Sequence, residues 1–141
     1  MQPGRDPDPV SPALAMGRPD GSRETLRRRQ RLLHTAEFQQ AYDQNRRWHG
    51  RHMVLFLRSA PDASLRLGVV ASKRVGNAVE RARAKRRLRE AFRRQRSTFT
   101  GVTDDVVLVA RRSLLKAPWA EVVADLIQLA GQAGLHPPTV P

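Results

Sequence analysis

Apolar positions recur along this chain with two different periods, and the changes of period divide it into six elements. From Thr35 to Asp43, Phe38, Ala41 and Tyr42 are spaced to share one helical face, with Thr35 placed as N-cap. His52 to Arg58 (HMVLFLR) is a short apolar run bounded by Gly50 and Pro61, and Leu65 to Ser72 (LRLGVVAS) alternates; both predict strands, joined as a hairpin through the turn at Pro61 and Asp62. A long helix is predicted from Asn77 to about Arg96. Asn77 is the N-cap, and Glu80 falls three residues on, the spacing of a capping box. Asp105 to Ala110 (DVVLVA) reads as a buried strand. Pro118 then opens a helix in which Trp119, Val122, Val123, Leu126, Ile127 and Ala130 share a face and which Gly131 ends. A sheet of three or four strands with helices packed on it is the simplest assembly.

Residues 1 to 23 hold Pro3, Pro7, Pro9, Pro12 and Pro19. Such a composition cannot bury enough apolar surface to offset the entropy of ordering it, so a disordered extension is expected. Residues 131 to 141 are read in the same way, which leaves one domain over residues 24 to 130. No run of apolar residues is long enough for a signal peptide or a membrane span, and a cytoplasmic protein is expected.

Charge changes the picture most. The chain has 26 Lys plus Arg against 13 Asp plus Glu, a formal net charge of +13, which calls for a polyanionic partner. It has no cysteine, so disulfides, thiolate metal sites and cysteine nucleophiles are excluded together. Its four histidines show no metal-ligand spacing. Asp104 and Asp105 could touch a hydrated magnesium ion, but an acidic pair before a strand reads more simply as a turn with a solvated charge.

Nine of the sixteen residues from Arg81 to Arg96 are basic. On a helix, Ala84, Leu88, Ala91 and Phe92 form a narrow apolar stripe that can seat on a sheet. Lys85, Arg86, Arg89, Arg93 and Arg96 run beside that stripe, and Arg83, Arg87 and Arg94 cover the far flank. Like charges three or four residues apart each cost about 0.2 to 0.5 kcal/mol, and only Glu80 and Glu90 relieve them. A solvated face usually mixes its signs, so a phosphate backbone is the better account of this one.

The stretch Leu67 to Phe92, LGVVASKRVGNAVERARAKRRLREAF, resembles the signature of the bacterial ribonuclease P protein component family. In that family a strand ends in Ser-Lys-Lys/Arg, turns through Gly-Asn-Ala-Val and enters a helix beginning Arg-Asn-Arg. The matching residues are Ser72, Lys73, Arg74, Gly76, Asn77, Ala78, Val79, Arg81, Arg83, Lys85, Arg86 and Arg89. The middle Asn of Arg-Asn-Arg is Ala82 here, so no role is carried over to that position.

The resemblance implies an α+β fold, a small ribosomal-protein-like α/β sandwich with helix, three strands, helix, strand, helix and a left-handed βαβ crossover. It also implies the function: the protein subunit assists a catalytic RNA in removing the 5′ leader of precursor tRNA, with magnesium ions held mainly by the RNA and no catalytic or metal-binding residue in the protein. Neither a membrane nor DNA is expected as a partner. The implied RNA contacts are Lys73, Arg74, Asn77, Arg81, Arg83, Lys85, Arg86 and Arg89. Phe38, Tyr42, Arg51 and Phe56 are the candidates for the single-stranded leader, because single strands stack bases on aromatic rings while arginine follows the backbone. A ribosome-associated RNA-binding protein and a basic DNA-binding protein are the alternatives that the charge alone also allows.

Overall fold

A computed structural model of the chain describes residues 30–32, 34–99 and 102–135. The readings made for residues 1 to 23 and 136 to 141 lie outside the described residues. Three helices, α1 (Thr35–Gln44), α2 (Ala78–Gln95) and α3 (Trp119–Ala133), accompany four strands, β1 (Arg46–His49), β2 (Met53–Arg58), β3 (Leu67–Val70) and β4 (Asp105–Ala110). Their order is helix, three strands, helix, strand, helix, as the family resemblance implies. No helix among the described residues is long and apolar enough to cross a membrane.

β4 is apolar on both faces and takes a central place in the sheet, whose order is β1-β2-β4-β3. It pairs antiparallel with β2 and parallel with β3, and α2 makes the crossover that a parallel pair requires. The expected hairpin between the second and third strands is therefore wrong: β4 lies between them. Asp105, whose carboxylate is fully buried, links the segments so arranged. It accepts from Arg58 Nη1 at 2.7 Å, from Arg66 Nη2 at 2.9 Å, and from the backbone N–H groups of Ser64 and Arg66 at 3.0 and 2.9 Å. These bonds tie the connection between β2 and β3 to the first residue of β4. Asp104 is also engaged, with Arg46 Nη2 at 2.9 Å, so neither aspartate is the solvated turn charge that was expected.

One sheet face packs Met53, Leu55, Leu57, Leu67, Val106 and Leu108 against Ala84, Leu88, Ala91 and Phe92 of α2 and Val122, Leu126 and Leu129 of α3. The apolar stripe of α2 is the one its spacing predicts. On α3, Leu129 is buried while Ile127 is 40% exposed. The other sheet face is covered by α1 through a smaller cluster of Leu32, Ala41, Phe56 and Val107, bordered by Phe38, Tyr42, Val54, Val70 and Val109.

Three boundaries differ from expectation. Thr35 is the first residue of α1 and His34 takes the cap position, without a side-chain bond. The resemblance implies a third strand before α2, but the residue pattern did not locate β1, because its sequence RRWH is a charged edge strand in which only Trp48 turns toward the core. α3 passes through Gly131, where the helix surface is open, and stops at Gly134, whose φ of 81° suits glycine. The N–H of Leu135 reaches back to the carbonyl of Ala130 at 2.8 Å and its side chain is buried, a helix ending of the Schellman type. The folded unit thus extends past residue 130, the boundary drawn from sequence.

Candidate nucleic-acid interface

β3 delivers the chain at Val70 to a short exposed approach, Ser72, Lys73 and Arg74, which Val75 pins by burial. Gly76 follows with φ of 154°, and a Cβ there would lie 2.2 Å from Glu80 Oε1. Only glycine leaves room for the cap that starts α2. Glu80 N–H donates to Asn77 Oδ1 at 2.8 Å, and Glu80 Oε1 accepts from Asn77 N–H at 2.9 Å, so the predicted capping box is complete. Arg81 Nη1 donates to the Gly76 carbonyl at 2.9 Å and closes the same turn. The carboxamide oxygen of Asn77 and one nitrogen of Arg81 are thus committed to the helix start.

Beyond that turn the cations of α2 divide by flank. Arg87 Nη2 donates to the carbonyl of Ala117 at 2.8 Å and Nη1 to those of Leu114 and Leu115. Its guanidinium lies 5.7 Å from the ring centroid of Trp119, and Arg94 lies 5.6 Å from the same ring. Arg93 and Arg94 both bind Glu90, and Arg96 donates to the carbonyl of Leu65. On the outer face, Arg83 and Arg86 are exposed, as are Lys73 and Arg74 on the approach, and among the described residues no carboxylate pairs with these four. Lys85 and Arg89 are half-buried on the flank toward β3. Burial first, then the charges of Arg31 and Arg86, lowers the Arg89 pKa to about 10. Arg89 remains charged at neutral pH.

The leader candidates fall on the opposite side of the sheet. Phe38, Tyr42 and Phe56 meet in one cluster. The Tyr42 and Phe56 rings stand edge to face with centroids 5.0 Å apart, and Phe38 covers Gly68, where a Cβ would come within 2.5 Å of the ring. Phe56 is only 9% exposed, whereas Phe38 and Tyr42 keep part of their surface open. Burial raises the Tyr42 pKa. Arg51 is placed apart from the three rings, in the loop between β1 and β2. Asp125 accepts from the N–H groups of Arg51 and His52 at 3.0 and 2.9 Å, and Ser113 Oγ donates to the Arg51 carbonyl at 3.1 Å. The Arg51 side chain is exposed.

Sequence reasoning missed Arg47 and His49, which the register sets opposite Phe56 and Val54 and therefore on the same face as the rings. The alternation around Trp48 was the available signal. His52 is buried between Ser113 Oγ, 2.7 Å from Nδ1, and Glu121 Oε1, 3.1 Å from Nε2. That arrangement steadies the same loop.

A surface with a cationic helix on one side and an aromatic face on the other agrees with a comparison against known families: residues 26–134 match the family model for Ribonuclease P. The chain belongs to the ribonuclease P protein family. A ribonuclease P protein component from Desulfovibrio desulfuricans is 36% identical over 120 residues, covering 82% of this chain and 92% of that protein. Its counterpart from Chloroflexus aurantiacus is 34% identical over 112 residues, covering 79% and 83%. The solved RNase P protein of Staphylococcus aureus superposes with a TM-score of 0.67 at 26% identity, covering 77% of this chain and 98% of that one. This chain is accordingly a ribonuclease P protein subunit, part of a ribonucleoprotein endoribonuclease of tRNA processing. The ribosome-associated alternative finds no support in these relatives.

Proposed function

We propose that this subunit serves its holoenzyme as a two-sided RNA platform. The outer face of α2, its flank toward β3 and its approach, with Lys73, Arg74, Asn77, Arg81, Arg83, Lys85, Arg86 and Arg89, hold the catalytic RNA. The face formed by α1 and the sheet, with Phe38, Tyr42 and Phe56, receives the single-stranded 5′ leader of precursor tRNA, and Arg51 follows its backbone from the neighbouring loop. One observation carries this reading: Lys73, Arg74, Arg83 and Arg86 project from a single capped helix and its approach without carboxylate partners among the described residues. Arginine is well suited to that surface because its planar fork makes paired bonds to phosphate.

Hydrolysis of the phosphodiester is assigned to the RNA subunit with its magnesium ions. No step is assigned to an ion on the protein. The protein's part is to bind and orient, in the cytoplasm where precursor tRNA is made.

Reconstitution of the full chain with a bacterial ribonuclease P RNA at low magnesium tests the first half: cleavage of precursor tRNA should be stimulated, and no stimulation would sink it. A series of leader lengths tests the second. Because Phe56 is nearly enclosed, Tyr42→Leu is the better probe. It should weaken leader-bearing substrates by roughly five- to one-hundred-fold, the worth of one stacked base, and spare leaderless tRNA. Equal effects on both substrates would rule out stacking on this face.

A further inference from the structure

Strand β1 sends its side chains to two different fates. Asn45, with φ of 55°, closes α1 by donating its N–H to the carbonyls of Ala41 and Tyr42, and leads straight into β1. Successive residues of a strand point to opposite faces. Arg46 and Trp48 go to the face of α2 and α3, where Arg46 is held by Asp104 and Ser59 and Trp48 packs on the core. Arg47 and His49 go to the face of α1. Both are exposed, and among the described residues neither has a carboxylate or hydrogen-bond partner.

Register places Arg47 beside Phe56, whose ring meets that of Tyr42 at 5.0 Å, and His49 beside Val54. Neighbouring strands lie about 5 Å apart, so the base of the Arg47 side chain is one strand spacing from the aromatic cluster. Val54 heads a lateral row with Val109 and Val70, all three half-buried at the border of that cluster. A single strand of RNA that continues from the rings toward the β1 edge passes over Arg47 and His49. Asp43 at the end of α1 and Asp104 before β4 have other partners, Gln39 Nε2 at 3.0 Å and Arg46 Nη2 at 2.9 Å. A guanidinium without a carboxylate beside aromatic rings is the pairing by which single strands are held, the rings taking bases and the cation the backbone.

We propose that β1 is an outer rail of the leader-binding face, on which Arg47 holds one backbone phosphate of the single-stranded leader and the His49 ring borders an adjoining base. This rests on the reading of the aromatic face as the leader site, and adds to it a charge and a ring from the neighbouring edge strand. Charge on an edge strand also deters pairing with another chain. That role alone would treat substrates with and without a leader alike.

The test uses the holoenzyme reconstituted from the full chain, binding precursor tRNA with a leader and the same tRNA without one, each across a salt titration. Arg47→Gln should weaken the leader-bearing substrate by about three- to ten-fold and lower the slope of log affinity against log salt by about 0.7, as expected for one phosphate of a single strand. Leaderless tRNA should bind as before. His49→Ala should weaken the leader-bearing substrate by about five-fold, the lower worth of one stacked base, and His49→Phe should restore it. Lys116→Gln removes one exposed charge next to α3 and should leave the preference for a leader unchanged. Equal losses with and without a leader overturn the rail, as does a loss in Lys116→Gln as large as in Arg47→Gln. Silence of either Arg47→Gln or His49→Ala while Tyr42→Leu still discriminates also overturns it, and leaves the leader site standing. If Tyr42→Leu is silent as well, the reading of the aromatic face falls with it.

Discussion

On the flank of α2 that meets α3, Arg87 serves the carbonyls of Leu114, Leu115 and Ala117, and with Arg94 it borders Trp119. On the outer face of the same helix, Arg83 and Arg86 meet no carboxylate among the described residues. The residue type and the helix are the same, and the difference lies in what stands opposite. Charge counted along a sequence therefore overstates the surface offered to RNA, because a guanidinium can spend its donors on carbonyls of its own chain. The interior pair of Arg58 and Arg66 around Asp105 is the extreme of this internal use.

The largest effect is expected at that extreme. Asp105→Ala strands Arg58, which is 3% exposed, without its buried partner, and should destabilise the fold by about 3 to 5 kcal/mol in urea unfolding. A loss under about 1 kcal/mol would show that Arg58 is not held by Asp105. Next comes Arg87→Ala, which leaves acceptors unserved between α2 and α3 and removes a guanidinium from the Trp119 ring. About 2 to 3 kcal/mol should be lost. Arg87→Lys keeps the charge but cannot fork to three carbonyls, so most of that loss should remain. Were Arg87→Ala to reduce the salt slope of RNA binding without changing stability, the two flanks would not differ as described.

Why these internal roles escaped the sequence is a matter of separation. The carbonyls that Arg87 binds lie 27 to 30 residues further along the chain, and nothing local marks them. The seat of α2 was legible because Ala84, Leu88, Ala91 and Phe92 obey the helical period, and its start because Asn77 and Glu80 lie within one turn. The pairing of β3 with β4 is implied by the βαβ crossover of the resemblance but was not legible in the local pattern, and the contacts of Asp105 with Arg58, Ser64 and Arg66 that accompany it span 39 to 47 residues. Phe38, Tyr42 and Phe56 do lie in one cluster, but the enclosure of Phe56 follows from the neighbouring β4 and the covering α1 together. Arg51 was expected beside these rings and lies in the next loop, held there by Asp125 and Ser113, which no local pattern announces.

The outer face is tested by Arg83→Ala. Stability should stay within about 0.5 kcal/mol of the parent, because the side chain is exposed and unpaired. RNA affinity should fall by roughly three- to ten-fold, with the salt slope lower by about one. A stability loss comparable to that of Arg87→Ala would erase the distinction between the flanks.

The smallest effect moves residues from one class to the other. Glu90 holds Arg93 and Arg94, and its carboxyl pKa is lowered first by the hydrogen bond from Arg93 and then by that from Arg94, against the opposing effect of burial. A carboxyl whose folded pKa lies below its unfolded value stabilises the fold above the unfolded pKa, and this contribution fades as pH falls through the folded one. The loss should therefore appear only in the acid range below the ordinary glutamate value, and Glu90→Gln should abolish it. Because the carboxylate is partly exposed, the stability at stake is no more than about 0.5 kcal/mol. At neutral pH the same substitution removes one negative charge from the α2 surface and with it the carboxylate that Arg93 and Arg94 share. RNA affinity should then rise by about two- to three-fold with a steeper salt dependence. If affinity fell instead, Glu90 would be placing Arg93 and Arg94 for RNA, and the border between the internal and external arginines of α2 would have to be redrawn at that carboxylate.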